Sequence, residues 1–232
     1  MAEQVYGMPG VRTARSSDAR RLLISDQGKI LLPRGRVIRG AVSRDPLNTG
    51  DLDVLRAGLV MGMITSSGKF APSILGLLTE ASIASDTEIV VSAATATEIV
   101  RRIGTTGTFK LTGPPSAAGT VATETVTYSS VNTTTGAITV TATTAAFVSG
   151  SFVQPTDGSE TPRALIPDTN GVKVTNEDDS DIDVPFVDML VGGVVDSSQI
   201  LNYPTDTSLQ AWLKEKLRLY GGGWVFDDDF LV

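Results

Sequence analysis

The apolar residues of this chain come in short strips, and nearly every strip is cut by glycine or proline. Residues 22–42 read LLISDQGKILLPRGRVIRGAV, which predicts a strand, a turn at Asp26–Gly28, a second strand, a break at Pro33–Gly35 and a third strand. Strips of this length suit strands, because a helix needs a periodic pattern of about 10–12 residues or more. With 23 Gly and 11 Pro among 232 residues, punctuation is frequent enough to keep most elements short. The fold class that follows is mainly β with minor α.

The same grammar recurs along the chain. LRAGLVMGMIT (55–65) and SSGKFAPSI (66–74) read as a strand, a turn and a short strand. GVKV (171–174), VPFVDMLVGGVV (184–195) and WVFDDDFLV (224–232) supply further strand candidates. One segment departs clearly. In SLQAWLKEKLRLYGGG (208–223), Leu209, Leu213 and Leu217 fall on one helical face together with Trp212 and Tyr220. Thr207 or Ser208 can cap this helix and Gly221 can end it.

Residues 79–155 have a different composition, rich in Thr, Ser and Ala. SDTEIVVS (85–92) and GTFKLTG (107–113) look like strands, and ATATEIVRRIG (94–104) fits a short helix stopped at Gly104. In ETVTYSSVNTTTGAITVTATT (124–144), Val126 and Tyr128, then Ile138 and Val140, alternate with polar residues across a turn at Asn132–Gly136, a hairpin pattern. The expected organisation is an arm over 1–24, a discontinuous core over 25–78 and 156–232, and an inserted β-rich domain over 79–155.

Composition narrows the chemistry. The chain has no Cys and no His. That removes disulfides, thiolate nucleophiles, the usual general base and the commonest transition-metal ligand, so catalysis is not expected. A hydrolase built on paired carboxylates is the remaining enzymatic alternative. Glu177, Asp178, Asp179, Asp181 and Asp183 lie close enough in sequence to offer oxygen ligands to Ca²⁺. The spacing does not match an EF-hand loop, and the expectation is a solvated acidic loop with no metal and no cofactor. Gly221–Gly223 follows a helix rather than preceding one, which is the wrong place for a phosphate loop.

No apolar run reaches the roughly 20 residues of a membrane helix, and the first residues lack the apolar core of a secretory signal. Synthesis in the cytoplasm without a membrane partner is expected. Charge is uneven: residues 1–56 carry 10 basic and 6 acidic side chains, and residues 157–232 carry 5 and 15. Opposite ends of this kind suit head-to-tail neighbours or unlike partners. Nucleic acid is not an expected partner, because Tyr6 is the lone aromatic among the scattered basic residues of the first segment.

Leu55-Arg56-Ala57-Gly58-Leu59-Val60-Met61-Gly62, followed by Ser67-Gly68-Lys69-Phe70-Ala71-Pro72, resembles the head decoration (capsid cement) proteins of lambda-type bacteriophages. Asp157–Ile166, the Gly-containing strip Val191–Val195 and the helix and strand of Leu209–Phe226 resemble later pieces of that family. The resemblance implies a β-tulip-like core interrupted by the insertion, and a homotrimer on the outer surface of an expanded capsid, within the virion. It implies contact with the major capsid protein through the arm, with Val5, Tyr6, Arg12, Arg15, Arg20 and Arg21 as contact residues. Neighbouring decoration trimers are further candidate partners. The alternative is a phage fibre, tail-tube or surface adhesin component that binds glycans or a host surface.

Overall fold

The computed structural model describes residues 22–32, 36–116, 119–167, 171–185, 189–221 and 223–230. In chain order the first strands are β1 (Leu23–Leu31), β2 (Val37–Ile38), β3 (Val54–Leu55), β4 (Val60–Met63), β5 (Phe70–Pro72), β6 (Gly76–Leu77) and β7 (Glu88–Val90). Helix α1 (Ala93–Arg102) is followed by β8 (Gly107–Gly113), β9 (Ala122–Val131), β10 (Ala137–Val140) and β11 (Phe152–Gln154). The chain then forms β12 (Pro162–Leu165), β13 (Val172–Lys173), β14 (Val184–Pro185), β15 (Leu190–Val195), helix α2 (Thr207–Tyr220) and β16 (Trp224–Phe226). The fold is mainly β with minor α.

The strands sort into two large assemblies. One sheet runs β1-β15-β12-β4-β5-β2-β14, and β16 also pairs with β15, in parallel. The second runs β6-β11-β8-β9-β10-β7, so all its strands lie between Gly76 and Gln154. This second sheet closes on itself. Leu78, just past β6, bridges Val91, just past β7, and the Thr79 amide donates to the Val90 carbonyl at 3.0 Å. This bridge closes the curled sheet into a small barrel. Its interior is filled by Leu78, Ile89, Val91, Phe109, Leu111, Val126, Tyr128, Ile138 and Val153, with Ala96 and Ile99 of α1 in the same core.

Local sequence explains most of these elements. The hairpin of β9 and β10 forms as its alternation predicts, with Val126, Tyr128, Ile138 and Val140 buried and the intervening Thr and Ser outward. In α1, Ser92 accepts the Thr95 amide at 3.1 Å, and the helix stops before Gly104, whose φ is +128°.

Two expectations are corrected. No turn divides two strands at Asp26–Gly28; β1 is one strand, and both its ends pair antiparallel with β15. Ser25 faces Val194 and Ile30 faces Gly192, so β1 carries extra residues there. The breaker residues are absorbed as a bulge rather than a reversal, because β15 is long enough to pair with both sides of it. The cap of α2 is Asp206, not Thr207 or Ser208. Its carboxylate accepts the Ser208 and Leu209 amides at 2.9 and 3.0 Å, and a carboxylate also answers the positive end of the helix dipole. The helix ends at Gly221 as expected.

Leu209, Leu213 and Leu217 are fully buried against the large sheet, in a core shared with Leu165, Leu190, Trp224 and Phe226. Phe152, on barrel strand β11, belongs to this core as well, and its ring lies 5.9 Å from that of Trp212. The barrel and the large sheet are therefore joined through apolar packing, not only through chain connections.

Candidate interaction surface

The residues expected to contact a partner, Val5, Tyr6, Arg12, Arg15, Arg20 and Arg21, lie outside the described residues. The first described residue, Leu22, is buried, and its carbonyl accepts the Asp196 amide at 3.0 Å. It continues directly into β1, an edge of the large sheet: among the described residues β1 pairs with β15 alone. Ile24 and Ile30 are 48% and 41% exposed on this strand. An edge strand offers unpaired backbone donors and acceptors to an incoming strand, and the bulge after Ser25 breaks the row into two short pieces.

What fixes this sheet relative to the barrel is a polar knot the sequence did not announce. Arg102, in the last turn of α1, has its side chain 1% exposed. It donates to the Pro72 carbonyl at 2.6 Å, to the Ser159 hydroxyl at 2.6 Å and to Asp157 at 3.2 Å. Asp157 in turn accepts the Ser159 amide at 3.0 Å and its hydroxyl at 2.5 Å. Burial alone would raise the Asp157 pKa; the Arg102 charge and the Ser159 bonds outweigh it and hold the carboxyl below its ordinary value. Burial pulls the Arg102 pKa down, and the Asp157 charge opposes that. An arginine stays protonated under such a load. Beside this knot, Glu160 accepts the Gly158 amide at 2.7 Å and the Lys110 ammonium at 3.2 Å, tying β8 of the barrel to the same turn.

The acidic loop does two separate things. Asp181 pairs with Arg44, which also holds Asp53 at 2.7 Å, and Asp183 pairs with Lys69. The Lys69 pair ties the loop to the start of β5 and the Arg44 pair ties it to the segment before β3. Among the described residues Glu177, Asp178 and Asp179 have no cationic partner; the turn that carries them is built by Asn176, whose side chain accepts the Asp178 and Ser180 amides at 3.1 and 2.8 Å. Among the described residues no group of three or more His, Cys, Asp or Glu is placed to hold a metal ion.

The second acidic run is spent internally. Lys214 donates to Asp228 at 2.6 Å and to Asp229 at 3.1 Å, and Asp227 accepts the Ser197 amide at 2.8 Å. Tyr203 donates to Asp228 at 2.9 Å, and burial together with that carboxylate pushes its phenol well above the ordinary value. Among the described residues no helix is long and apolar enough to cross a membrane. No family model, no curated protein and no solved structure matches the chain.

Proposed function

We propose that the chain is a structural virion protein of the head-decoration class, seated as a homotrimer on the outer surface of an expanded bacteriophage capsid and stabilising it without catalysis. What supports this reading is where the family-like pieces meet. The 55–72 segment supplies β4 and β5, the 157–166 segment β12, the 191–195 segment most of β15, and the last segment α2 and β16. These strands are neighbours in one sheet: β4 pairs with β5 and β12, and β15 pairs with β12 and β16.

Two glycines of the separate motifs answer to one contact. A Cβ at Gly62 would lie 1.8 Å from the Ser159 carbonyl oxygen, and one at Gly158, where φ is +102°, would lie 2.0 Å from the Thr65 hydroxyl. Neither position has room for a side chain, so the two distant glycine motifs serve the same close approach. The barrel between them closes through Leu78 and Val91, so the core sheet can carry it as an insertion. On this reading the large sheet with α2 is the tulip-like core.

The basic first residues, including Arg12, Arg15, Arg20 and Arg21, would grip carboxylates of the major capsid protein, and the residues around Val5 and Tyr6 would add a strand to its edge. A protein that binds only the expanded lattice stabilises it by mass action.

The test is sedimentation of purified protein with expanded and with unexpanded heads that lack it. Pelleting with expanded heads alone is expected, and pelleting with neither overturns the proposal. Removing residues 1–21 is expected to weaken attachment with the circular dichroism spectrum unchanged. A second reading, a glycan-binding adhesin, draws on the barrel face where Thr123, Thr125, Thr127 and Ser129 are exposed. Glycan-array binding by the whole chain would favour it.

A further inference from the structure

We propose that the pocket beside the C-terminal end of α2 receives the Glu177–Asp179 turn of a second copy of this chain. The inference rests on the trimeric reading above and names the contact that closes the ring.

The pocket is a cavity of about 170 Å³ with Met63, Phe70 and Val191 as apolar walls and Arg36, Arg163 and Tyr220 at its polar side. The Arg163 guanidinium lies 3.8 Å from the centre of the Tyr220 ring, which fixes its plane. Among the described residues its Nε is buried with no hydrogen-bond acceptor, and one terminal nitrogen donates to the Met63 sulfur at 3.5 Å. A thioether is a weak acceptor, so the group is held in place with donor capacity to spare.

Arg44, Arg56, Lys69, Arg101, Arg102, Lys110, Lys214, Lys216 and Arg218 have carboxylate partners. Among the described residues Lys29, Arg36, Arg39, Arg163 and Lys173 have none, and of these Arg163 alone carries a buried nitrogen without a hydrogen bond, in a protein of net charge −7. Two guanidinium groups against apolar walls select a carboxylate on a partly apolar segment, and partial desolvation makes the pairing stronger than at an open surface.

The same chain carries the complement. Glu177, Asp178 and Asp179 are consecutive, exposed and without a cationic partner among the described residues, on a turn prebuilt by Asn176 and by Asp179 in the left-handed region at φ +57°. A rigid turn loses little freedom on docking. Ile182, 39% exposed, follows it and can cover the apolar rim. Within one copy the turn makes no ion pair with either arginine, so the contact is between molecules. Pocket and turn are different surfaces, which makes the contact head-to-tail, the kind that closes into a ring when the rotation allows.

The test measures self-association of the full chain by sedimentation equilibrium, at low and high salt. Arg163→Glu, Arg36→Glu and the combined Glu177→Lys, Asp178→Lys, Asp179→Lys variant are each expected to weaken association by about tenfold or more. Arg163→Glu combined with the reversed turn in one chain is expected to recover association. Arg36 is exposed, so its variant keeps the test decisive where Arg163→Glu fails to fold. A wild type that forms trimers, with both arginine variants associating equally well, overturns this contact and leaves the trimer standing. A wild type that stays monomeric at every concentration overturns both.

Discussion

The barrel and the large sheet solve the same problem in opposite ways. Both are built from short strands with outward polar residues, but the barrel joins its first and last strands through Leu78 and Val91, and the large sheet ends in β1 and β14. A closed sheet satisfies its own backbone and needs nothing beside it. An open sheet keeps edges that must be blunted or used. Here β14 is two residues long and contains Pro185, which blunts it, and β1 is bulged but carries the chain in from its first residues. The difference teaches where association should be sought: on the open sheet and the surfaces that flank it, with the barrel as a rigid passenger.

The two assemblies meet at Phe152. Phe152 is fully buried, belongs by pairing to the barrel and packs with the α2 core. Phe152→Ala is expected to cost about 3–5 kcal/mol and to lower protection from hydrogen exchange in both assemblies. Phe109→Ala, inside the barrel alone, is expected to spare the amides of α2. Equal loss everywhere in both variants would show that the two assemblies unfold as one unit and not as two.

Arg102 tests the polar half of the same joint. Arg102→Met removes the donor shared by Pro72, Asp157 and Ser159 and leaves a partly buried carboxylate unpaired, at a cost of about 3 kcal/mol. Denaturant midpoints would measure it. A change under about 0.5 kcal/mol would reduce the knot to an ordinary surface pair.

Acid should act on the two assemblies unequally. Asp183 is held low first by its bond to Lys69. For Asp157, Asp227 and Asp229 burial pushes the pKa up, and Arg102 with Ser159, the Ser197 amide, and the Phe226 amide with Lys214 respectively outweigh it. A carboxyl depressed in the folded state contributes stability that is complete above its unfolded pKa, near 3.8 here, and is lost as pH falls through the lower folded value. All four lie on the large sheet or at its joint. Hydrogen exchange below pH 3.8 should therefore open α2 and β16 before the barrel hairpin. Asp157→Asn should flatten the acid dependence of the joint.

Local elements were legible from sequence because local chemistry decides them. Alternation placed the β9–β10 hairpin, and Ile99, Val100 and Ile103 with Gly104 placed α1. Pairing between distant strands was not legible, since nothing near Leu78 announces Val91. The Asp26–Gly28 signal was real, but tertiary pairing with β15 turned a predicted reversal into a bulge. Nothing in the spacing of 94–104 sets Arg102 apart, and only the return of the chain at Asp157 gives it its carboxylate partner. The Arg163–Tyr220 stack joins residues on a strand and a helix end that no spacing rule connects. The candidate contact residues of the first segment could be named from sequence, but their surroundings could not.

The smallest expected effects separate the assemblies most cleanly, because two caps of similar strength sit one in each. Ser92 caps α1 against the barrel, and Asp206 caps α2 against the large sheet. Alanine at either position should cost about 1 kcal/mol, the ordinary worth of an N-cap. The two costs are alike, and the amides affected differ. Ser92→Ala should speed exchange in α1 and its neighbours β7 and β8, leaving α2 unchanged; Asp206→Ala should do the reverse. If each cap mutation spread evenly through both helices, Phe152 and Arg102 would have welded the barrel to the sheet. The insertion would then be part of one cooperative core in spite of its closed edges.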